Sequence, residues 1–386
     1  MYRGVRLAPV VMYSVCVDLE AAISELDWNN DHHRQQLRRW YAIARDVIDE
    51  LHTLFARRRP IATISLQGHF VSAAVARQLA VTYGFQSMAT EVTFHPPRMI
   101  LEPLTGVAVN RTAAALYFRQ REDIMPHGRY VPWMDAFLSG LDAAKIGHHA
   151  SPSARFSWPE GRKRILFLGQ CYTDSSVLFG ARDGATAVSI LRVLLHYVSG
   201  RDAFLLAKLH PKENGGTDPL ENPYNRLTWR KLNGDPEIAA RLIDRDEEHW
   251  GIDDSNRFGT THLLRECDVV VTINSQGGLE ALAHGREVVL LGDAFYSGLG
   301  FTFDVPRLAL LPAVLDAMLW GGISLADRDA FARFLFVYFQ HYCIERTPAG
   351  FVRALRTRLW PRGQFQAAFE LAPRSEALEP TRKGGR

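Results

Sequence analysis

Residues 267–292 (CDVVVTINSQGGLEALAHGREVVLLG) constrain the fold of this chain more than any other stretch. Val269 to Ile273 is a short β-branched apolar run, the composition of a strand buried on both faces. Asn274 and Ser275 are helix-capping residue types, the helical run Leu279 to His284 follows at once, and Gly285 stands where a helix ends. Val288 to Leu291 supplies the next buried strand. Such a strand–turn–helix–strand unit belongs to a parallel α/β sheet. Its polar turn aims backbone N–H groups and the positive end of a helix at whatever lies above the sheet, typically a phosphate. Gly277 and Gly278 are read as allowing close approach of a ligand to the backbone, and Glu280 as a partner for ribose hydroxyls. A well-capped turn with no ligand would use the same residue types, so the rest of the chain has to decide.

The chain has 386 residues, enough for two α/β domains with separate cores. A net charge of +3 is too mild to argue for nucleic acid. Arg57, Arg58 and Arg59 form a basic run, but they close a helix, where cations suit the dipole. The cysteines at 16, 171, 267 and 343 are scattered without a CxxC pair, which predicts a reduced cytosolic protein and no zinc site. Leu7 to Val17 reads as a first strand rather than a signal peptide, because no small-residue cleavage site follows it. No apolar run approaches the roughly 20 residues that span a bilayer.

In chain order, Asn30 or Asp31 caps a helix reaching Arg58, with Leu37, Trp40, Ile43, Ala44, Val47, Leu51, Leu54 and Phe55 as its core stripe. Ile61 to Leu66 is expected as a buried strand, Ser72 to Tyr83 as a helix, and Phe85 to Thr90 as a strand ending at Glu91. The stretch from Val92 to Gly106 reads as an irregular, proline-rich loop carrying His95, Arg98 and Glu102. The expected domains are an N-terminal α/β domain over 1–150, a linker over 151–163 and a second α/β domain over 164–326. C-terminal helices over 327–373 and a disordered tail over 374–386 complete the division. Within the second domain, Glu213 to Asn233 reads as irregular and Arg257-Phe258 as a short strand.

Ligands of open parallel sheets bind beyond the carboxyl ends of the strands. Four strands of the second domain end in polar chemistry: Gln170, Asp174 and Ser175; His210 and Lys212; Asn274, Ser275 and Gly277; and Gly292 with Tyr296. His210 and Lys212 can neutralise a phosphate without metal. The GxGxxG and GxxxxGK[ST] fingerprints are absent. Asp244-Arg-Asp246 and Asp327-Arg-Asp329 match a DxD metal pattern but fall in helical sequence, so no metal site is expected. Two α/β halves with nucleotide chemistry in the second suit the GT-B architecture, two Rossmann-like domains facing each other across a cleft.

The ordered set QxxxDS, HPK, INSxxGLEALxxGxxVxxxG and a Tyr-to-Thr element resembles the bacterial capsular polysaccharide synthesis and export proteins, some of which transfer the acidic sugar Kdo from CMP-Kdo. Its residues here are Gln170, Asp174, Ser175, His210, Pro211, Lys212, Ser275, Gly278, Glu280, Tyr296, Gly300 and Thr302. The resemblance covers about Ile165 to Asp304. Family members tend to carry Glu-Asp-Gly-Phe in the first domain, where this chain has Glu91-Val-Thr-Phe94. The resemblance implies a retaining, metal-independent transferase with no cofactor beyond its CMP-sugar donor. Asp174 would be the nucleophile and Glu91 the base, with Glu102 in reserve and His210 stabilising the leaving phosphate. Gln170, Ser175, Lys212, Asn274, Ser275, Gly277, Gly278, Glu280, Tyr296 and Thr302 would bind the donor. His69, His95 and Arg98 would meet a glycan or glycolipid acceptor. A cytoplasmic location, with peripheral association at the inner membrane, is the corresponding expectation. A CDP-glycerol or CMP-sialic acid transferase, a sugar-nucleotide epimerase, and a non-catalytic capsule assembly or export factor are the competing readings.

Overall fold

The computed structural model describes residues 1–93, 95, 97–103, 111–121, 128–145, 154–214, 225–244, 248–325 and 327–359. The first part of the expected linker, Asp246, Trp360 and the tail lie outside these residues. The first half runs α1 (Leu7–Asp18), α2 (Asp31–Arg58), β1 (Ala62–Leu66), α3 (Val71–Tyr83), β2 (Gln86–Val92), β3 (Arg98–Pro103), α4 (Arg111–Arg119) and α5 (Tyr130–Lys145). The second half runs β4 (Lys163–Leu168), α6 (Ser175–Gly180), α7 (Ala187–Val198), β5 (Ala203–Lys208), α8 (Leu227–Gly234), α9 (Pro236–Asp244), β6 (Trp250–Asp253) and α10 (Thr260–Glu266). It continues with β7 (Val269–Thr272), α11 (Gly277–Ala283), β8 (Glu287–Leu290), β9 (Phe303–Asp304) and α12 (Leu311–Leu319). Then α13 (Arg328–Val337), β10 (Ile344–Glu345) and α14 (Pro348–Leu359) return to the first half, where β10 pairs antiparallel with β3.

The second sheet has the order β6-β5-β4-β7-β8-β9 and every pairing in it is parallel. This is the doubly wound dinucleotide-fold order, whose strand sequence reverses between β4 and β7. Apolar residues alternate to the two faces. Ile165, Phe167, Val269, Val271 and Val289 pack under α7 and α12. Leu166, Leu168, Val270, Val288 and Leu290 pack toward α11 and α13. The first sheet is smaller and mixed, β1-β2-β3-β10, with β1 and β2 parallel and β3 antiparallel to β2. The expected α/β architecture with a sheet in each half is therefore present, but only the second sheet is doubly wound.

Several local expectations are corrected. Leu7 to Val17 is helical, not a strand: Val10, Val11, Ser14 and Val15 are buried at i, i+1, i+4 and i+5 against α2 and α3. Pro9 lies in the first turn of α1, where a missing N–H leaves no bond unmade. β1 is the edge strand rather than a buried one, and Ile64 and Leu66 stand exposed. The proline-rich stretch contains β3, because Pro97 precedes the strand and Pro103 is its last residue, in register with Met88, so neither interrupts the pairing. The supposedly irregular Glu213 to Asn233 contains most of α8. The third strand of the sheet is Trp250–Asp253, whereas Phe258 makes a single bridge to Ala154. Phe156 and Trp158, in the expected linker, pack on Phe204 at the sheet's flank. Asn30 does cap α2, but Leu54 of the predicted stripe faces outward.

Lys208, the last residue of β5, is buried and donates to Asp253 Oδ2 at 2.7 Å, Asn256 Oδ1 at 2.7 Å and Phe258 O at 2.8 Å. Asp253 also accepts from the Arg257 and Phe258 amides, so every charge in the cluster is matched. The cluster ties β5 to β6 immediately before His210. Lys208→Met strands the Asp253 carboxylate and is expected to cost about 3–5 kcal/mol in urea denaturation. A loss below about 1 kcal/mol would show that the ion pair does not hold this edge.

Candidate functional site

The carboxyl ends of β4 and β7 meet at the reversal of strand order, and two side-chain amides lock them together. Gln170 Nε2 donates to Asn274 Oδ1 at 2.9 Å, and the Asn274 backbone N–H donates to Gln170 Oε1 at 3.0 Å. Asn274 Nδ2 donates on to Ser176 O and Asp293 O. Both side chains are thus occupied by protein partners, so they shape the rim instead of offering groups to a donor. Asn274 does not cap α11 either; Gln276 occupies that place with no side-chain bond.

Asp174 caps α6. Its Oδ1 accepts from the Ser176 amide at 2.8 Å and from Ser176 Oγ at 2.7 Å. Oδ2 has no hydrogen-bond partner among the described residues. One oxygen therefore orients the carboxylate while the other stays available, and the roles of cap and nucleophile are compatible in a single side chain. Ser175, the first residue of α6, is buried beside it.

His210 ends the Leu209-His210 exit of β5. The Lys212 amide donates to His210 Nδ1 at 3.2 Å, which assigns the ring proton to Nε2. Burial, reinforced by the Lys212 charge and opposed by Asp174, pulls the His210 pKa down and keeps the ring neutral near pH 7. Lys212 is exposed and unpaired among the described residues. Behind this turn lies a carboxylate that sequence reasoning overlooked. Glu213 is buried and accepts from the Tyr172 amide, the Thr228 amide and Thr228 Oγ1, the last at 2.6 Å. It ties the Asp174 loop to the His210 turn and to α8. Its place three residues after His210 was the available signal.

Glu91, at the end of β2, brings the first half to this rim. It lies within electrostatic range of both Asp174 and Lys212. Burial raises its pKa above the ordinary 4.5, opposed by bonds from the Gln67 side chain and the Val92 amide. Gln67 has φ +57° and Gly68 φ +85°, two left-handed residues that turn the chain sharply after β1 and present His69. The His69 ring stacks on Phe179 of α6, 5.2 Å between centroids and 24° between planes.

Other expected site residues lie elsewhere. Glu102 is buried and accepts from the Tyr342 hydroxyl, so it is a core carboxylate and no substitute base. His95 packs edge-on against Phe137 and Phe339, and Arg98 reaches Gln340; neither carries a contact to Asp174, Glu91 or His210. Tyr296 is fully buried and donates to Ser275 O, bracing the turn from below. Thr302 is buried and bonded to Asp304. Ser275 Oγ accepts from the Gly277 amide at 3.1 Å, and the Gly278 amide bonds Ser275 O at 3.0 Å. Two of the N–H groups expected to face a phosphate are therefore satisfied internally. Glu280 is half-buried on α11. Asp327 of the DxD match is the N-cap of α13, bonded to the Asp329 and Ala330 amides.

The two glycines serve packing. A Cβ on Gly277 would come 2.8 Å from Leu168 Cδ1. One on Gly278 would overlap the Tyr296 hydroxyl and sit 3.1 Å from Tyr296 Cζ. Gly278→Ala is expected to destabilise by about 1–3 kcal/mol in urea denaturation, the usual cost of overpacking. Adding Tyr296→Phe should recover part of that loss, since the ring oxygen causes the overlap. A Gly278→Ala variant as stable as the parent would reinstate the ligand-approach reading.

Residues 142–310 match the family model described as "Capsule polysaccharide biosynthesis protein". The lipopolysaccharide-processing protein LpsZ of Rhizobium meliloti is 29% identical over 178 residues, 45% of this chain and 35% of the relative. The capsule polysaccharide modification protein LipA of Neisseria meningitidis serogroup B is 28% identical over 159 residues, 40% of this chain and 20% of the relative. The chain thus spans about a third and a fifth of these relatives. Among solved structures, the β-Kdo 2,4-transferase of Thermosulfurimonas dismutans KpsC aligns with a TM-score of 0.49 and 20% identity, over 75% of this chain and 81% of that one. A UDP-GlcNAc 2-epimerase from Neisseria meningitidis aligns with a TM-score of 0.33 and 10% identity, over 85% and 88%.

Proposed function

We propose that this chain, whose residues 142–310 match the capsule polysaccharide biosynthesis family model, is a glycosyltransferase. In this reading it moves an acidic sugar, Kdo from CMP-Kdo, onto a glycan or glycolipid acceptor, without a divalent metal and with retention of configuration. The observation that carries the reading is the convergence of Asp174, with one free carboxylate oxygen, on His210, Lys212 and Glu91 at the strand-order reversal.

Asp174 Oδ2 attacks the anomeric carbon as the bond from that carbon to the CMP phosphate oxygen breaks. The bonding pair leaves on the phosphate. The Lys212 ammonium and the His210 Nε2–H stabilise the charge gained there. The acceptor hydroxyl then attacks the same carbon, gives its proton to Glu91 and displaces Asp174. Two displacements return the original configuration. A base works best with a pKa near the working pH, and burial moves Glu91 in that direction.

Asp174→Asn should keep the fold within about 1 kcal/mol, because Asn caps a helix as well as Asp. It should bind CMP normally and transfer nothing, because an amide is a poor nucleophile. Calorimetry with CMP, CDP and UDP, with and without EDTA, checks the donor. Preference for UDP, or binding that needs magnesium, would overturn the assignment.

Glu91 acts in its deprotonated form, so its raised pKa places the acidic limb of kcat/KM above the ordinary glutamate range. Activity should rise with pH through that limb. Glu91→Gln should abolish the limb and slow transfer by roughly 100-fold or more. A limb that persists in Glu91→Gln assigns the base elsewhere.

A further inference from the structure

We infer that His69 and Arg77 form a subsite for a carboxylate or phosphate group of a substrate, on the first half's side of the crevice beside α6. The inference deepens the transferase reading and rests on it only for the identity of the ligand.

Arg77 lies on α3, four residues after Ala73 and on the same face. Helical side chains lean toward the N-terminus, so its guanidinium reaches back toward the start of α3. His69 sits two residues before that start, within electrostatic range of Arg77. Arg77 is half-buried yet has no hydrogen bond or ion pair among the described residues. Burial lowers its pKa, and no carboxylate opposes the effect. The first half's own rim carboxylate, Glu91, answers to Asp174 and Lys212 instead. Among the described residues, Arg77 is thus a partly desolvated cation without a counter-charge.

His69 repeats the pattern. It is 9% exposed, and its Nε2 is buried with no hydrogen-bond partner among the described residues. Phe179 covers one face of the ring, and Tyr13 lies 6.5 Å away. Phe179 belongs to the helix that Asp174 caps, so the free edge of His69 is tied to the reacting centre through one short helix. His69 senses both Arg77 and Asp174, and burial pulls its pKa to about 4, leaving it neutral. A neutral imidazole N–H and an unpaired guanidinium are complementary to an anion that can accept from both. Buried polar groups left without partners call for such an explanation. The donor sugar's carboxylate and a phosphate on the acceptor share this chemistry.

The test is calorimetry on the full chain in the presence of CMP, so that the His210 and Lys212 side is filled. The probes are free Kdo, its methyl ester and inorganic phosphate, with wild type, Arg77→Met and His69→Gln. Wild type should bind free Kdo or phosphate, and Arg77→Met should lose at least tenfold in affinity for that anion while CMP affinity stays unchanged. Loss confined to Kdo, with the ester already weak in wild type, identifies the sugar carboxylate. Loss confined to phosphate identifies the acceptor. If Arg77→Met does not fold, Arg77→Gln is read in the same way. Anion affinities unchanged in folded variants, or no anion binding by wild type, overturn the subsite. Absence of CMP binding with Arg77-dependent anion binding would instead remove the transferase reading and keep the subsite.

Discussion

The amide clasp between Gln170 and Asn274 is the constraint on which the rest of the site depends. In a doubly wound sheet the connections leave in opposite directions at the strand-order reversal, opening a crevice that no helix fills. The β4–β7 ladder ends at Leu168 and Thr272, and the loops beyond it need another tie. The clasp joins them, and Asn274 extends it to Ser176 and Asp293. Ser176 also carries the two bonds that orient Asp174. The position of the free Asp174 oxygen is thus inherited from a chain of hydrogen bonds starting at β7.

Around that oxygen the charges are arranged asymmetrically. The second half contributes Lys212 and a neutral, proton-bearing His210, which suits a phosphate gaining charge. The first half contributes a carboxylate made more basic by burial, which suits an incoming hydroxyl. The halves are joined behind the crevice by Tyr172 bonding Glu25 and by the two-pronged Arg230–Glu20 pair. Exposed pairs of the latter kind contribute little to stability. The mixed cluster of Cys16, Tyr172, Leu178 and Leu227 supplies the apolar part of the same junction.

The second half was the more legible in sequence, and the reason is physical. Strands buried on both faces need uninterrupted runs such as Val269–Thr272, and short connections place Asp174 and His210 directly at strand ends. Capping chemistry is local, so Asn30 and Asp174 announce helix starts without reference to the fold. The misread elements depend on partners distant in sequence. Leu7 to Val17 has strand composition, and only α2 and α3 make it a helix. β3 exists because β2 and β10 flank it. Glu102 and Tyr296 look like site residues until their buried partners, Tyr342 and Ser275, are known. Gly278 is required by a tyrosine 18 residues away in sequence, which no local pattern announces. Arg77 went unnoticed because a lone arginine in a helix normally means a solvated surface.

The central claim is that a single carboxylate orients itself through one oxygen and attacks through the other. Intact-mass and peptide mass spectrometry on wild type given CMP-Kdo and no acceptor tests this most directly. The account predicts a gain of one sugar mass on the peptide containing Asp174, absent from Asp174→Asn. Turnover on adding acceptor, with no adduct at any time and substantial activity in Asp174→Asn, would contradict it and point to a single inverting displacement.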